Sequence, residues 1–241
     1  MSSPQTIPNQ AERDSSHRAV APAWHTVVVL FVLLGFSFAG RHGHFTSVRV
    51  PHSRAAAYIL VMIVEWLIVA FIWYGVNRRG VRMAELVGGN WPGPIAFLRD
   101  FGIAVGFVLI FGGLVLSGLA HLLKAVPSPA MRAIMPQSRS DLILWVVLSL
   151  TAGFCEEVIQ RGYLQRQFAA MTDSTLAGIV LQGIVFGLGH GYQGWKLMVP
   201  IGIYGILFGW LAYWRRSLRP GMIGHFLQDA AGGFIARYLP H

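Results

Sequence analysis

Apolar residues in this chain come in long runs, separated by short stretches that carry arginine, glycine and proline. Seven runs stand out: residues 19–40, 55–76, 101–123, 142–155, 174–195, 197–214 and 220–236. Glu65 is the only carboxylate in the second run, and Asp229 the only one in the last. A helix needs about 20 apolar residues to cross the ~30 Å hydrocarbon core of a bilayer. The pattern therefore predicts an all-α fold, a polytopic transmembrane helical bundle of about seven spans. Residues 1–22 are polar and rich in Ser, Pro and Gln, which predicts a disordered N-terminal tail. Residues 23–241 form one membrane-embedded helical domain in this reading. A cleaved signal peptide would carry its apolar core closer to Met1, so the first run is expected to stay as an anchor.

Composition narrows the class further. The chain is 54% hydrophobic and only 12% charged, with a mean hydropathy of +0.54. Soluble domains carry about twice that charged fraction. The net charge of +9 is spread over tail and loops without interleaved aromatics, which excludes a nucleic-acid partner and fits loops facing anionic lipid. Arg78, Arg79, Arg82 and Arg99 fall in one loop, and Arg215, Arg216 and Arg219 in another on the same side. This excess favours a cytoplasmic N-terminus. The single cysteine, Cys155, allows no intrachain disulfide.

Candidate chemistry lies where the apolar pattern is violated. Charged groups at bilayer depth cost at least ~2.5–3.5 kcal/mol each, and an intramembrane ionisable residue marks a candidate functional site. The later runs hold Glu156, Glu157, Arg161, His190, His225 and Asp229. Glu157 and Arg161 are four residues apart and can pair along one helix face. They are expected to form a structural ion pair. Glu156 points about 100° away from Glu157 and is left free for proton transfer. His225 and Asp229 also share a face. Cys155 next to two carboxylates is disfavoured as a thiolate nucleophile. Glu65, in "VMIVEWLIVAF", has three candidate surroundings: the same cavity, Arg161, or another subunit. Gly183/Gly187 and Gly205/Gly209 are GxxxG pairs that let helix backbones approach closely.

Three motifs occur in order: "EEVIQR" fits EExxxR, "FGLGH" fits FxxxH, and "HFLQD" fits Hxxx(D/N). Together they resemble the CPBP (CAAX protease and bacteriocin-processing, or Abi) family of intramembrane proteases, related to the type II CAAX prenyl endopeptidases. The resemblance covers about residues 140–235. It implies that Glu156 activates water, that His190 shares that water, and that His225 and Asp229 steady the oxyanion. It implies a membrane-protein, prenylated-protein or peptide substrate, and the plasma membrane of a bacterium. Asp229 departs from members with Asn, since an ionised Asp cannot donate a hydrogen bond.

The favoured chemistry is metal-free hydrolysis without a cofactor. The competing mechanism holds a Zn²⁺ through Glu156, His190, His225 and Asp229. Two other function classes share the same residues. One is a non-catalytic scaffold or bacteriocin-immunity protein of the same fold. The other is a proton-coupled transporter, against which the absence of matching halves argues.

Overall fold

Each of the seven apolar runs falls on a helix. The computed structural model describes residues 18–41 and 53–238, and no strand occurs among them. The order is α1 (Ala23–Arg41), α2 (Arg54–Asn77), α3 (Met83–Val87) and α4 (Pro94–Phe107). A π-helical stretch (Val108–Ser117) then leads into α5 (Gly118–Leu122), followed by α6 (Pro129–Ile134) and α7 (Arg139–Glu157). A second π-helical stretch (Val158–Leu164) leads into α8 (Gln165–Thr172). Then come α9 (Thr175–Gly189), a 3-10 turn (Gly191–Gln193), α10 (Trp195–Arg215) and α11 (Arg219–Tyr238).

Five helical segments are long and apolar enough to cross a membrane: Ala23–Gly40, Arg54–Asn77, Pro94–Leu122, Arg139–Thr172 and Trp195–Arg215. The other two runs differ from them. The α9 helix is apolar but only 15 residues long, and α11 is 20 residues long but interrupted by Arg219, His225, Asp229 and Arg237. The helical bundle is as expected, with two of its elements too short or too polar to qualify as spans by length and apolarity. Of the predicted tail, residues 1–17 lie outside the described residues. At its end Val20 and Ala21 are buried, and the Gln167 side chain accepts from Ala21 N and donates to Ala21 O, both at 3.0 Å.

The long helix through α7 and α8 is the axis of the fold. Within the five segments its apolar window is the most buried, at 44%, against 17% for residues 94–122. It starts at a capping box, in which Ser138 Oγ accepts from Asp141 N and Asp141 Oδ2 accepts from Ser138 N. It packs against α2 and α11, and α8 packs against α9. Ile72, Val76, Val158, Ile159 and Leu164 form its core, with Cys155 among them. Large side chains such as Phe31, Ile95 and Leu109 point outward, as lipid permits.

Small residues bring α9 onto α10. A Cβ on Gly183 would meet the Ile206 side chain and lie 2.9 Å from its backbone N; one on Gly187 would lie 2.8 Å from Met198 O. The first GxxxG pair therefore sets the crossing that carries His190. At the other end, Asp100 ties α4 to the corner between α10 and α11. It accepts from Trp91 Nε1 at 3.0 Å and Arg215 Nη2 at 3.1 Å, with Arg219 Nε at 3.4 Å. Two of the arginines in the basic "WRRSLRP" stretch are thus paired internally.

Candidate active site

The site lies where α7 runs into its π-helical continuation. Such stretches widen the turn and re-aim side chains, and they recur at functional sites. Glu156 and Glu157 are the last residues of α7, and Gln160 and Arg161 sit in the π-helical turn. Glu156 and Gln160 line a cavity of about 980 Å³, whereas Glu157 and Arg161 are turned into the protein.

Glu157 is fully buried. Arg161 Nη1 donates to Glu157 Oε1 at 2.8 Å with both side chains out of solvent. The guanidinium also donates to Gly205 O at 3.2 Å and lies over the Phe186 ring at 4.4 Å and the Phe208 ring at 5.1 Å. A buried charge needs this many contacts to offset its desolvation. Gly221 makes room for the acid, because a Cβ there would sit 2.7 Å from Glu157 Oε2.

One partner of Glu157 was not foreseen from spacing. His225 Nδ1 donates to Glu157 Oε1 at 3.1 Å. A carboxylate only accepts, so the proton is on Nδ1 and the other nitrogen, Nε2, faces the site. His225 Nε2 lies 3.8 Å from Glu156 Oε2 and 3.5 Å from Asp229 Oδ2. Glu157 is therefore more than a brace for Arg161, since it orients the His225 ring, as the carboxylate does in a hydrolase triad. No local sequence signal carries this contact, because 68 residues separate the two.

His190 ends α9 and lines the same cavity as Glu156. Its Nδ1 donates to Phe186 O at 2.8 Å. The carbonyl cannot donate, so in the neutral ring Nε2 keeps its lone pair. Phe186 packs between the histidines, with ring centroids 4.6 Å from His190 and 5.8 Å from His225. Asp229 sits one turn beyond His225, its side chain about one-third exposed, and its backbone carbonyl accepts from Trp145 Nε1. His225 and Asp229 do not line the cavity and instead stand beside Glu156.

Glu65 belongs to this site. It comes from α2, is buried, lines the cavity and stands beside Glu156. Of the three surroundings open from sequence, the structure selects the cavity. Cys155, by contrast, is buried in the apolar core. Among the described residues, no group of three or more His, Cys, Asp or Glu side chains is arranged to hold a metal ion.

Residues 138–231 match the family model described as type II CAAX prenyl endopeptidase Rce1-like. That segment is similar to the Rce1-like family. No curated protein and no solved structure matches the chain. The Rce1-like segment begins at the N-cap of α7 and includes Glu156, Glu157, Arg161, His190, His225 and Asp229. The family supports a protease, and the apolar helices make it an integral membrane protein. Glu65 and the α1, α2 and α6 walls of the cavity lie outside the Rce1-like segment.

Proposed function

We propose that this protein is an intramembrane endopeptidase that hydrolyses peptide bonds of membrane-associated or lipidated substrates with water activated by Glu156 and His190. The observation that carries the reading is the convergence of the Glu156 carboxyl group and an imidazole lone pair on one cavity, reached from two helices. Water held between Glu156 and His190 Nε2 attacks the scissile carbonyl carbon, and Glu156 takes its proton. His225 carries its Nδ1 proton toward Glu157 and, when doubly protonated, offers Nε2–H to the developing oxyanion. Asp229 and Glu156 flank that nitrogen and favour the charged ring. The proton held by Glu156 passes to the amine as the C–N bond breaks, so no covalent enzyme intermediate forms. A Zn²⁺ held by Glu156, His190, His225 and Asp229 would instead supply Lewis-acid chemistry in the same place. Prenylated proteins are within the substrate class proposed, and the arginine distribution supports a cytoplasmic N-terminus in a bacterial plasma membrane.

The test uses purified protein in proteoliposomes containing a pool of lipid-anchored peptides. Cleavage should persist after exhaustive chelation, with no stoichiometric Zn in the protein. Chelator-sensitive cleavage restored by Zn would replace the metal-free step with a metal-assisted one. Proton flux without cleavage would reassign the residues to a transporter.

A further inference from the structure

The two halves of the bundle are filled differently. At the end where α1 begins, Ala21, Val76, Leu86, Leu164 and Leu218 are buried in one apolar core. Helix ends meet there: Leu218 N donates to Val87 O at 2.9 Å, and Arg166 Nη2 donates to Glu85 O at 3.1 Å. Glu157 and Arg161 lie between this core and the site, and neither side chain reaches solvent. The cavity occupies the other half. Its lining runs from Glu65, Glu156 and Ile159 out to Gly40, Ser53 and Gly194, which stand at the opposite ends of α1, α2 and α10. Exposure rises along the same direction. Ile159 and Glu65 are buried, whereas Ser53, Pro129 and Ala133 on the outer lining are exposed.

The packing of α1 on α2 accounts for the shape. The two helices are clamped near the start of α1, where the His25 ring stacks on Phe71 at 3.9 Å with 1° between the planes. His25 Nε2 donates to Phe71 O at 2.9 Å, which leaves Nδ1 of the neutral ring to accept from Tyr163 Oη at 2.9 Å. The clamp is therefore anchored to the π-helical stretch that follows Glu157. Beyond it, α1 and α2 face one another across the cavity. Leu33, Phe36 and Gly40 line it from α1, and Ala57, Val61 and Val64 from α2. Intervals of three and four residues put each set on one helix face. Close-packed interiors leave few voids larger than a water molecule, and about 980 Å³ is the size of a ligand pocket. The third wall is α6, held to α2 by Tyr58 Oη donating to Ile134 O at 2.6 Å. Ser128 Oγ ties it to the turn after His190 by donating to Tyr192 O at 2.7 Å.

Building on the endopeptidase reading, we infer that the substrate enters this slot between α1 and α2 from the membrane face opposite the start of α1, and that its chain runs inward to bring the scissile bond to Glu156 and His190. That face is defined by the protein's own helix ends, whichever compartment it meets. The packed half leaves no comparable path from the other face among the described residues. Cleavage is therefore one-sided.

The experiment uses the full-length chain in sealed liposomes at low copy number, sorted on an N-terminal tag into molecules with the N-terminus outside and molecules with it inside. Cys155→Ala is the background, so that an added cysteine is the only thiol. Val64→Cys and Gly189→Cys put a thiol on the cavity wall from two helices, and a Cβ on Gly189 meets no atom within 4 Å. Arg79→Cys and Arg132→Cys, both at exposed positions, mark the two faces. A membrane-impermeant maleimide is added outside. The wall thiols should react together with Arg132→Cys when the N-terminus is inside, at least about tenfold faster than when it is outside. Two wall variants on separate helices keep the test decisive if one fails to fold. Reaction from the face of Arg79→Cys, equal reaction from both faces, or no reaction from either would overturn the entry route. A lipid-anchored peptide added outside should be cut by wild-type molecules with the N-terminus inside and spared by the others, and cutting from the other face or from both would also overturn it. One-sided labelling with no cleavage from either face defeats the endopeptidase while leaving the slot and its face in place.

Discussion

Two buried carboxylate clusters in this protein have opposite partner counts. Asp100 is wholly buried, and its oxygens meet the indole of Trp91 and the guanidinium groups of Arg215, Arg219 and Arg99. The cluster around Glu156 gathers three more acids, Glu65, Glu157 and Asp229, yet its buried cation is Arg161, and that is committed to Glu157. Asp100 has its acceptor sites well supplied, and it locks α4 to the α10–α11 corner. Around Glu156 acceptors outnumber donors, and oxygens on Glu65, Glu157 and Gln160 stay without partners. A saturated buried acid is a structural tie. Acids on a cavity wall, as Glu65 and Glu156 are, stand instead where an incoming molecule would meet them.

The contrast breaks first at Glu156. Glu156→Gln should lower cleavage of a lipid-anchored peptide by about 10²–10⁴-fold, the usual range for losing a general base. The melting temperature should stay within a few degrees, because the side chain is partly exposed and faces the cavity. A parallel loss of folding would make Glu156 a structural residue like Asp100.

Glu157→Gln comes next. It strands the guanidinium of Arg161 and weakens the acceptor that orients His225, so it should cost about 3–5 kcal/mol of stability. Denaturant titration in mixed micelles measures the loss, and kcat of the surviving folded fraction should also fall. An unchanged kcat would confine Glu157 to bracing Arg161.

Asp100→Asn sharpens the comparison from the saturated side. The amide keeps part of the hydrogen bonding but removes the charge facing Arg215 and Arg219, a loss of about 1–3 kcal/mol. The kcat of the folded protein should match wild type. A drop as steep as that of Glu157→Gln would erase the distinction between the two clusters.

The smallest effect is expected at Cys155. Its thiol contributes apolar packing in the core, so Cys155→Ala should cost about 1 kcal/mol and keep most activity. Alkylating reagents should leave the wild type active, because the thiol is shielded. Complete inactivation of a well-folded Cys155→Ala protein would move the chemistry to the thiol.

Much of this was legible along the chain, for a local reason. Apolar runs of spanning length have to be helical in lipid, because the backbone must satisfy its own hydrogen bonds there. The pairing of Glu157 with Arg161 follows from i,i+4 spacing, and it persists in a turn that is π-helical. The three motifs marked Glu156, His190, His225 and Asp229 because ionisable groups are costly, and therefore conspicuous, in apolar segments. Apolarity alone was less informative at α9 and α11, where run length did not reveal that one helix is short and the other polar.

Tertiary structure decided everything that depends on which face of one helix meets another. The sequence leaves Glu65 as an isolated acid in an apolar run, and only the packing of α2 on α7 brings it to Glu156, 91 positions away. Glu157 reads as a local brace until α11 delivers His225 to the same oxygen. Arg215 and Arg219 read as loop charges facing lipid until Asp100 claims them. Gln160 is an ordinary polar residue until its carbonyl oxygen proves to be buried beside a cavity with nothing to accept from. Spacing along a chain determines which side chains share a helix face. The crossing of helices, set here by glycines such as Gly183 and Gly187, determines which faces share a site, and that information is distributed over contacts too distant in sequence for any motif to record.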